Sequence, residues 1–218
     1  TSNTQALTSA QVKALTTAQL DAMTTAQIAI LDTADVTALS ANQIKSLSTA
    51  SIVALTTGQA AALLYTQVAA MTTGQVAALE TADLAKLASA QIGALTAAQI
   101  KSLTTAQIAA LSSTQVQSLK ATQVSALATD QIAKLGTANT QALTSTQVKA
   151  LTTAQLDALA TDQIAALDTV DIASLSATQI KSLSTASIVA LTTSQAAALL
   201  YTQVAAMTTS QVAAIETA

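Results

Sequence analysis

The chain has no cysteine, proline, phenylalanine, tryptophan, histidine or arginine, and only four glycines among its 218 residues. Each absence removes a class of explanation. Without Cys or His there is no thiol or imidazole nucleophile, no Ser-His-Asp relay and no zinc site of the usual ligands. Without Cys there is no disulfide staple, which leaves the redox compartment open and is compatible with secretion. Without Phe or Trp, and with Tyr65 and Tyr201 as the only aromatics, the chain lacks the bulky fillers of an ordinary globular core. Charged residues make up 9% of the chain against roughly 25% in typical soluble domains. The eight bases are all Lys, they form no patch, and the net charge is −3, so nucleic-acid binding is not expected. Apolar runs such as Ala60–Tyr65 are far shorter than the ~18 residues a membrane span needs.

What is present is one octapeptide, written almost without interruption. Leu103-Thr104-Thr105-Ala106-Gln107-Ile108-Ala109-Ala110 is a representative copy. With the leucine as position one, 26 complete copies run from Leu7 to Ala214, and position one is Leu except at Met23, Met71 and Met207. Positions two and three are mostly Thr or Ser. Position five is Gln except at Asp35, Ser51, Asp83, Asn139, Asp171 and Ser187. Position six is Ile, Val or Leu except at Ala60, Thr140 and Ala196. A short fixed period of this kind decides the fold before any other signal.

The octad reads as a helix start. With Thr104 as N-cap, its hydroxyl can accept from a first-turn N–H, and Gln107 falls at N3, the spacing of a capping box. Leu103 and Ile108 then occupy the two positions of a hydrophobic staple. The charges give an independent check, because acids favour helix N-termini and bases C-termini. Nine of the 11 acids stand at positions two, four or five, and seven of the eight lysines at positions seven or eight, with Lys120 the exception. One short helix per octad follows.

Two other architectures fit less well. In one continuous helix, eight residues at ~100° each would rotate the leucine row by about 80° per octad, so no apolar stripe or coiled-coil seam forms. In a β-solenoid, positions one and six would face opposite sides of a strand. The run Ala-Gln-Ile-Ala-Ala-Leu also lacks alternation and favours helix. The expected fold is an all-α solenoid of very short helices, one per octad, with a β-solenoid as the alternative. Stacking would bury positions one and six in one thin core, under a Thr/Gln/Ala-rich exterior that repels other copies little.

A longer repeat overlies the octads. Residues 1–82 match 137–218 with 14 differences, so residues 1–136 form a block of 17 octads and 137–218 a partial second block continuous with it. Both ends fall inside the pattern, as expected for a segment of a longer array. The weakest octad, Leu135–Ala142, has Gly136 at the cap position and puts the Thr140 hydroxyl in the core row. It marks tolerated drift or a local bend at the block junction.

Few residues invite chemistry. Asp32 with Asp35, Asp168 with Asp171, and Glu80 with Asp83 stand at i, i+3 and could hold a cation weakly. They read more simply as acids at helix N-termini. No sugar-stacking aromatic accompanies them, so glycoside hydrolysis is not expected. No enzyme activity, cofactor, metal or small-molecule substrate is called for. Leu64 and Leu200 replace the capping hydroxyl, each followed by tyrosine. Leu64, Tyr65, Leu200 and Tyr201 are therefore the candidate lateral interface, unless the tyrosines pack over a groove of their own solenoid.

The motif at Leu103–Ala110 resembles octapeptide arrays of very large secreted or surface proteins of bacteria. That resemblance covers the whole chain and implies an extracellular stalk, adhesin shaft or fibre-forming protein. The expected function is structural: an elongated extracellular solenoid serving as a surface shaft or a self-assembling filament subunit. Its partners would be further copies or neighbouring repeats. The alternatives are a protein- or glycan-binding module on one ridge, and an ice-binding repeat presenting its threonines. The octad differences between the two blocks are scattered over many positions, which suits a shaft better than a binding ridge.

Overall fold

A computed structural model describes residues 2–215. Among these residues there are 27 helices of four to seven residues and no strand. The all-α reading holds and the β-solenoid is set aside. From Thr8 to Ala214 the helices follow the octads one for one.

Most junctions are built alike. Thr104 is extended at φ −70°, ψ 158°, and its Oγ1 accepts from the Gln107 N–H at 3.1 Å. The Thr104 N–H in turn donates to Gln107 Oε1 at 2.8 Å, closing the capping box. Leu103, one residue earlier, ends the preceding helix Ala97–Ser102, and its N–H donates to the Ile100 carbonyl at 3.2 Å. In some octads, as at Ala110, the C-cap is the residue before position one; here Leu103, at position one, is the C-cap of one helix and the N′ residue of the next. Its backbone is extended, at φ −60° and ψ 139°, not left-handed. That is why the chain turns between helices with so few glycines. The one positive φ among the described residues is at Gly136, +73°.

The octads wind into a coil. Within each unit, helices pack on the third helix further along, as Ala41–Ser46 does on Tyr65–Ala70 and Ser145–Ala150 on Thr169–Ser174. Isolated helices this short are unstable in water. Their stability comes from the core: position six is fully buried through most of the chain, and position one nearly so. Each buried Ile, Leu or Val contributes roughly 1.5–3 kcal/mol.

Two compact units are formed, Thr1–Leu111 and Ser112–Ala218, each wound in this way. The division is one of contacts. The 17-octad block is a pattern in the sequence and ends elsewhere.

The glutamines correct the expected surface. They belong to the interior: position five is buried from Gln43 to Gln211 wherever it is Gln. The capping box occupies Oε1 and leaves two amide protons to place. In the first unit, Gln59 Nε2 donates to the Ile28 carbonyl at 2.9 Å and the Leu31 carbonyl at 2.7 Å. Gln75 reaches Ile44 and Leu47 at 2.9 and 2.7 Å. In the second, Gln155 reaches Val124 and Leu127 at 2.9 and 2.7 Å, and Gln203 reaches Ile172 and Leu175 at the same distances. The acceptors lie 31 and 28 residues back, so one turn of the coil takes between three and four octads. These carbonyls close the helix below, where the helical hydrogen bonds run out. A glutamine therefore starts its own helix and ends another.

Replacing Gln107 by Ala removes the acceptor for the Thr104 N–H and the donors for the Val76 and Leu79 carbonyls. The loss is expected at about 2–4 kcal/mol, since each buried group left unpaired costs roughly 1–3 kcal/mol. Thr104→Ala should cost about 1 kcal/mol. Urea unfolding followed by circular dichroism measures both, and the order Gln107→Ala above Thr104→Ala is the outcome expected.

Candidate interaction surface

The four residues expected to form a lateral contact are at the surface. Leu64 is the N-cap of the helix Tyr65–Ala70 in the first unit, and Leu200 the N-cap of Tyr201–Ala206 in the second. Neither can cap with its side chain, yet both helices start normally. The Leu64 N–H donates to Gln67 Oε1 and the Leu200 N–H to Gln203 Oε1, each at 2.7 Å. The position-five glutamine thus frees position two from its hydroxyl. Leu64 and Tyr65 are 47% and 60% exposed, and Leu200 and Tyr201 49% and 86%. Tyr201 therefore does not pack over a groove of its own unit, and in each unit an adjacent leucine and tyrosine face solvent together. The sequence did not single out the other exposed apolar side chains of the ridges, Val53, Val170 and Val189. They stand at positions where Ala or Lys is equally acceptable to the fold.

The acid pairs resolve into two kinds. Asp35 is buried; its Oδ1 accepts from Ser9 Oγ at 2.7 Å and its Oδ2 from the Asp32 N–H at 3.2 Å. Asp171 accepts from Ser145 Oγ at 2.7 Å, and Asn139 from Ser113 Oγ at 3.0 Å. In all three cases a serine at position three stands 26 residues before a short side chain at position five. The serine hydroxyl supplies a donor to a side chain that has replaced the glutamine. These residues are turn-to-turn fastenings. Asp83 differs. Thr57 stands where the rule places a serine, and the buried Asp83 Oδ2 has no hydrogen-bond partner. The N-cap of its helix, Glu80, makes no side-chain capping bond. Among the described residues no group of three or more His, Cys, Asp or Glu gathers as metal ligands, and no helix is long and apolar enough to cross a membrane.

The weakest octad also finds partners for its polar groups. Leu135 takes a helical conformation in place of the usual extended one, and Gly136 follows at positive φ. Buried Thr140 donates through its hydroxyl to the Gly136 carbonyl at 2.8 Å and accepts from Gln163 Nε2 at 3.0 Å. Gln163 keeps its bond to the Ile132 carbonyl at 3.1 Å. Within the second unit this is a changed joint whose hydrogen bonds are made by different atoms.

A family model described as the ALTTAQ repeat matches residues 4–33, 28–64, 76–113, 108–137, 132–169 and 164–200. Together the matches cover more than four-fifths of the chain, and their starting points differ by whole numbers of octads. The model and the capping pattern therefore share one register. No curated protein is found to match the chain.

Asp83→Gln restores the standard residue at position five and places amide donors where the Ile52 and Leu55 carbonyls of the turn below stand. It is expected to stabilise the chain by about 1–2 kcal/mol, the scale of removing one buried unsatisfied group. A higher urea midpoint at unchanged helicity is the measurement. A lower midpoint would mean that the Asp83 carboxylate is held by a group the register rule does not contain.

Proposed function

Because the chain belongs to the ALTTAQ repeat family, we propose that it is a structural protein. It serves as an extracellular repeat solenoid, either a surface shaft or a subunit of a self-assembling filament. The observation that carries this reading is the repetition of one fastening. The same glutamine bonds tie each turn to the next at Gln59, Gln67 and Gln75 and again at Gln195, Gln203 and Gln211. A protein whose task is to hold distance needs a unit that adds onto itself without change. The extracellular setting rests on the resemblance to large secreted and surface proteins of bacteria, and the low charge and lack of Cys agree with it.

The self-assembling form draws on the exposed Leu64–Tyr65 and Leu200–Tyr201 pairs. Leucine and tyrosine side by side on a surface rich in Thr, Ala and Ser give apolar area with a polar tip, the composition that favours contact with another protein surface. A second reading, a module that binds a protein or glycan on one ridge, uses the same four residues and differs in what covers them.

Electron microscopy of the purified chain tests the proposal. Bundled or ribbon-like fibres that lose their lateral association in a Leu64→Thr, Tyr65→Thr, Leu200→Thr, Tyr201→Thr variant of unchanged helicity are the expected result. Single, unassociated particles in both proteins would remove the filament form and leave the passive shaft.

A further inference from the structure

Aspartate replaces the glutamine of position five at Asp35, Asp83 and Asp171, and Asp83 stands apart from the other two. At Asp35 and Asp171 a serine hydroxyl of the turn below donates to the carboxylate at 2.7 Å. Asp83 is buried more deeply than either, at 1% exposed, and its Oδ2 has no hydrogen-bond partner. The residue in the serine's place, Thr57, is exposed. The helix of Asp83, Thr81–Lys86, packs on Thr57–Ala62 and Thr105–Ala109, and neither of these carries a charged residue. Lys86, on the same helix as Asp83, is exposed.

The turn below offers Asp83 more oxygen. Ile52 and Leu55 stand 31 and 28 residues back, the spacing at which Gln59 Nε2 meets the Ile28 and Leu31 carbonyls at 2.9 and 2.7 Å. At position 83 that amide is missing. The Ile52 carbonyl accepts the Leu55 N–H at 3.2 Å and has a second lone pair. Aspartate is one methylene shorter than glutamine, so its carboxylate stops short of the place an amide nitrogen would hold. A buried carboxylate turned toward carbonyls is costly unless something positive stands between them. Glu80, three residues earlier and exposed, makes no side-chain capping bond and adds a second negative charge beside the first.

We propose that this joint binds one calcium ion, held by Asp83 Oδ2 and the Ile52 and Leu55 carbonyls, with Glu80 and water completing its shell. Every group on offer is a hard oxygen donor. Calcium takes about six to eight of these, backbone carbonyls included, in flexible geometry. Magnesium demands near-ideal octahedral geometry and gives up its water reluctantly, so two fixed carbonyls suit it poorly. A monovalent ion leaves one of the two acid charges uncompensated. The ion does here what the amide does elsewhere: it ties the start of one helix to the end of a helix one turn below. Asp35 and Asp171 do not share the site, because a serine hydroxyl already meets each carboxylate. The joint lies in the interior of the first unit and uses none of Leu64, Tyr65, Leu200 and Tyr201. It holds equally for a shaft and for a filament.

The test uses the full chain, the variants Asp83→Gln, Glu80→Gln and Asp35→Asn, and calcium chloride as the probe, with magnesium and sodium chloride at matched ionic strength. Calorimetric titration of the wild type should show one calcium site with a Kd on the order of 10⁻⁴–10⁻³ M. Asp83→Gln should weaken binding by about tenfold or more, Glu80→Gln should weaken it several-fold, and Asp35→Asn should leave it unchanged. Asp83→Gln carries the standard glutamine of its neighbours, so its fold is not at risk. In chelator it should be the more stable chain. Saturating calcium should raise the urea midpoint of the wild type and leave that of Asp83→Gln where it was. No calcium heat and no midpoint shift in the wild type, a shift that Asp83→Gln retains, or a shift that magnesium or sodium gives equally would each overturn the proposal. So would a wild-type midpoint that rises as the pH falls and ignores calcium, because a proton on Asp83 would then be the missing donor.

Discussion

The structure depends on how one side chain divides its hydrogen bonds. A position-five glutamine has an acceptor and two amide protons, and each is given to a different part of the chain. Oε1 takes the N–H of the residue that begins the helix. Nε2 gives its protons to the carbonyls that end a helix one turn below. Short helices have a high ratio of unsatisfied ends to satisfied middles. A helix of five or six residues has almost no middle, as at Thr105–Ala109. By joining the start of one helix to the end of another, the glutamine turns this weakness into the means of stacking. It also explains how a chain with 9% charge and almost no aromatics holds a defined register. Apolar rows alone tolerate sliding, whereas a buried amide two methylenes from its backbone fits one pair of carbonyls.

The substitutions at this position show what it requires. Aspartate keeps the acceptor and loses both donors. At Asp35 and Asp171 a serine 26 residues earlier supplies a proton to the carboxylate. Serine shortens the side chain further: Ser51 and Ser187 bond to the hydroxyls of Ser48 and Ser184 at 2.9 Å and keep only the local half of the device. These octads stay folded because the position-six residues beside them, Ile52 and Ile188, remain buried. The apolar core supplies most of the stability and the amides supply the register, so single losses of the second kind are carried by their neighbours.

Much of this was legible in the sequence. The octad, the hydroxyl cap, the capping-box glutamine and the helix polarity shown by Asp, Glu and Lys all follow from spacing. The exposure of Leu64 and Tyr65 does not, because spacing alone left open that the tyrosine packs over a groove of its own solenoid. The turn of the coil was not read, because the period of eight describes the helix and is silent about its neighbours. Two signals carried the missing information. A capping box leaves the glutamine amide nitrogen without a partner, and a polar group repeated in most octads without one must find it in the fold. The serine–aspartate pairs, Ser9 with Asp35 and Ser145 with Asp171, recur at one spacing and mark side chains on adjacent turns. The glutamines were placed outside because the residue type is usually exposed, a tendency that does not apply when every polar atom is bonded.

The octad at Leu135–Ala142 shows that the rule is one of hydrogen bonding and not of sequence. Leu135 is helical where its counterparts are extended, so its carbonyl is no longer where the Gln163 amide would meet it. A valine or isoleucine at 140 would leave that proton buried and unpaired. Thr140 supplies a hydroxyl in its place and disposes of its own proton on Gly136. The same exchange occurs in the first unit, where Gln27 Nε2 donates to Thr4 Oγ1 at 3.3 Å, again 23 residues back. A threonine that looked like a fault in the apolar row is what keeps a changed joint compatible with the glutamine above it. The two instances are separated by the length of the 17-octad block, so the threonine hydroxyl and the glutamine that meets it recur together.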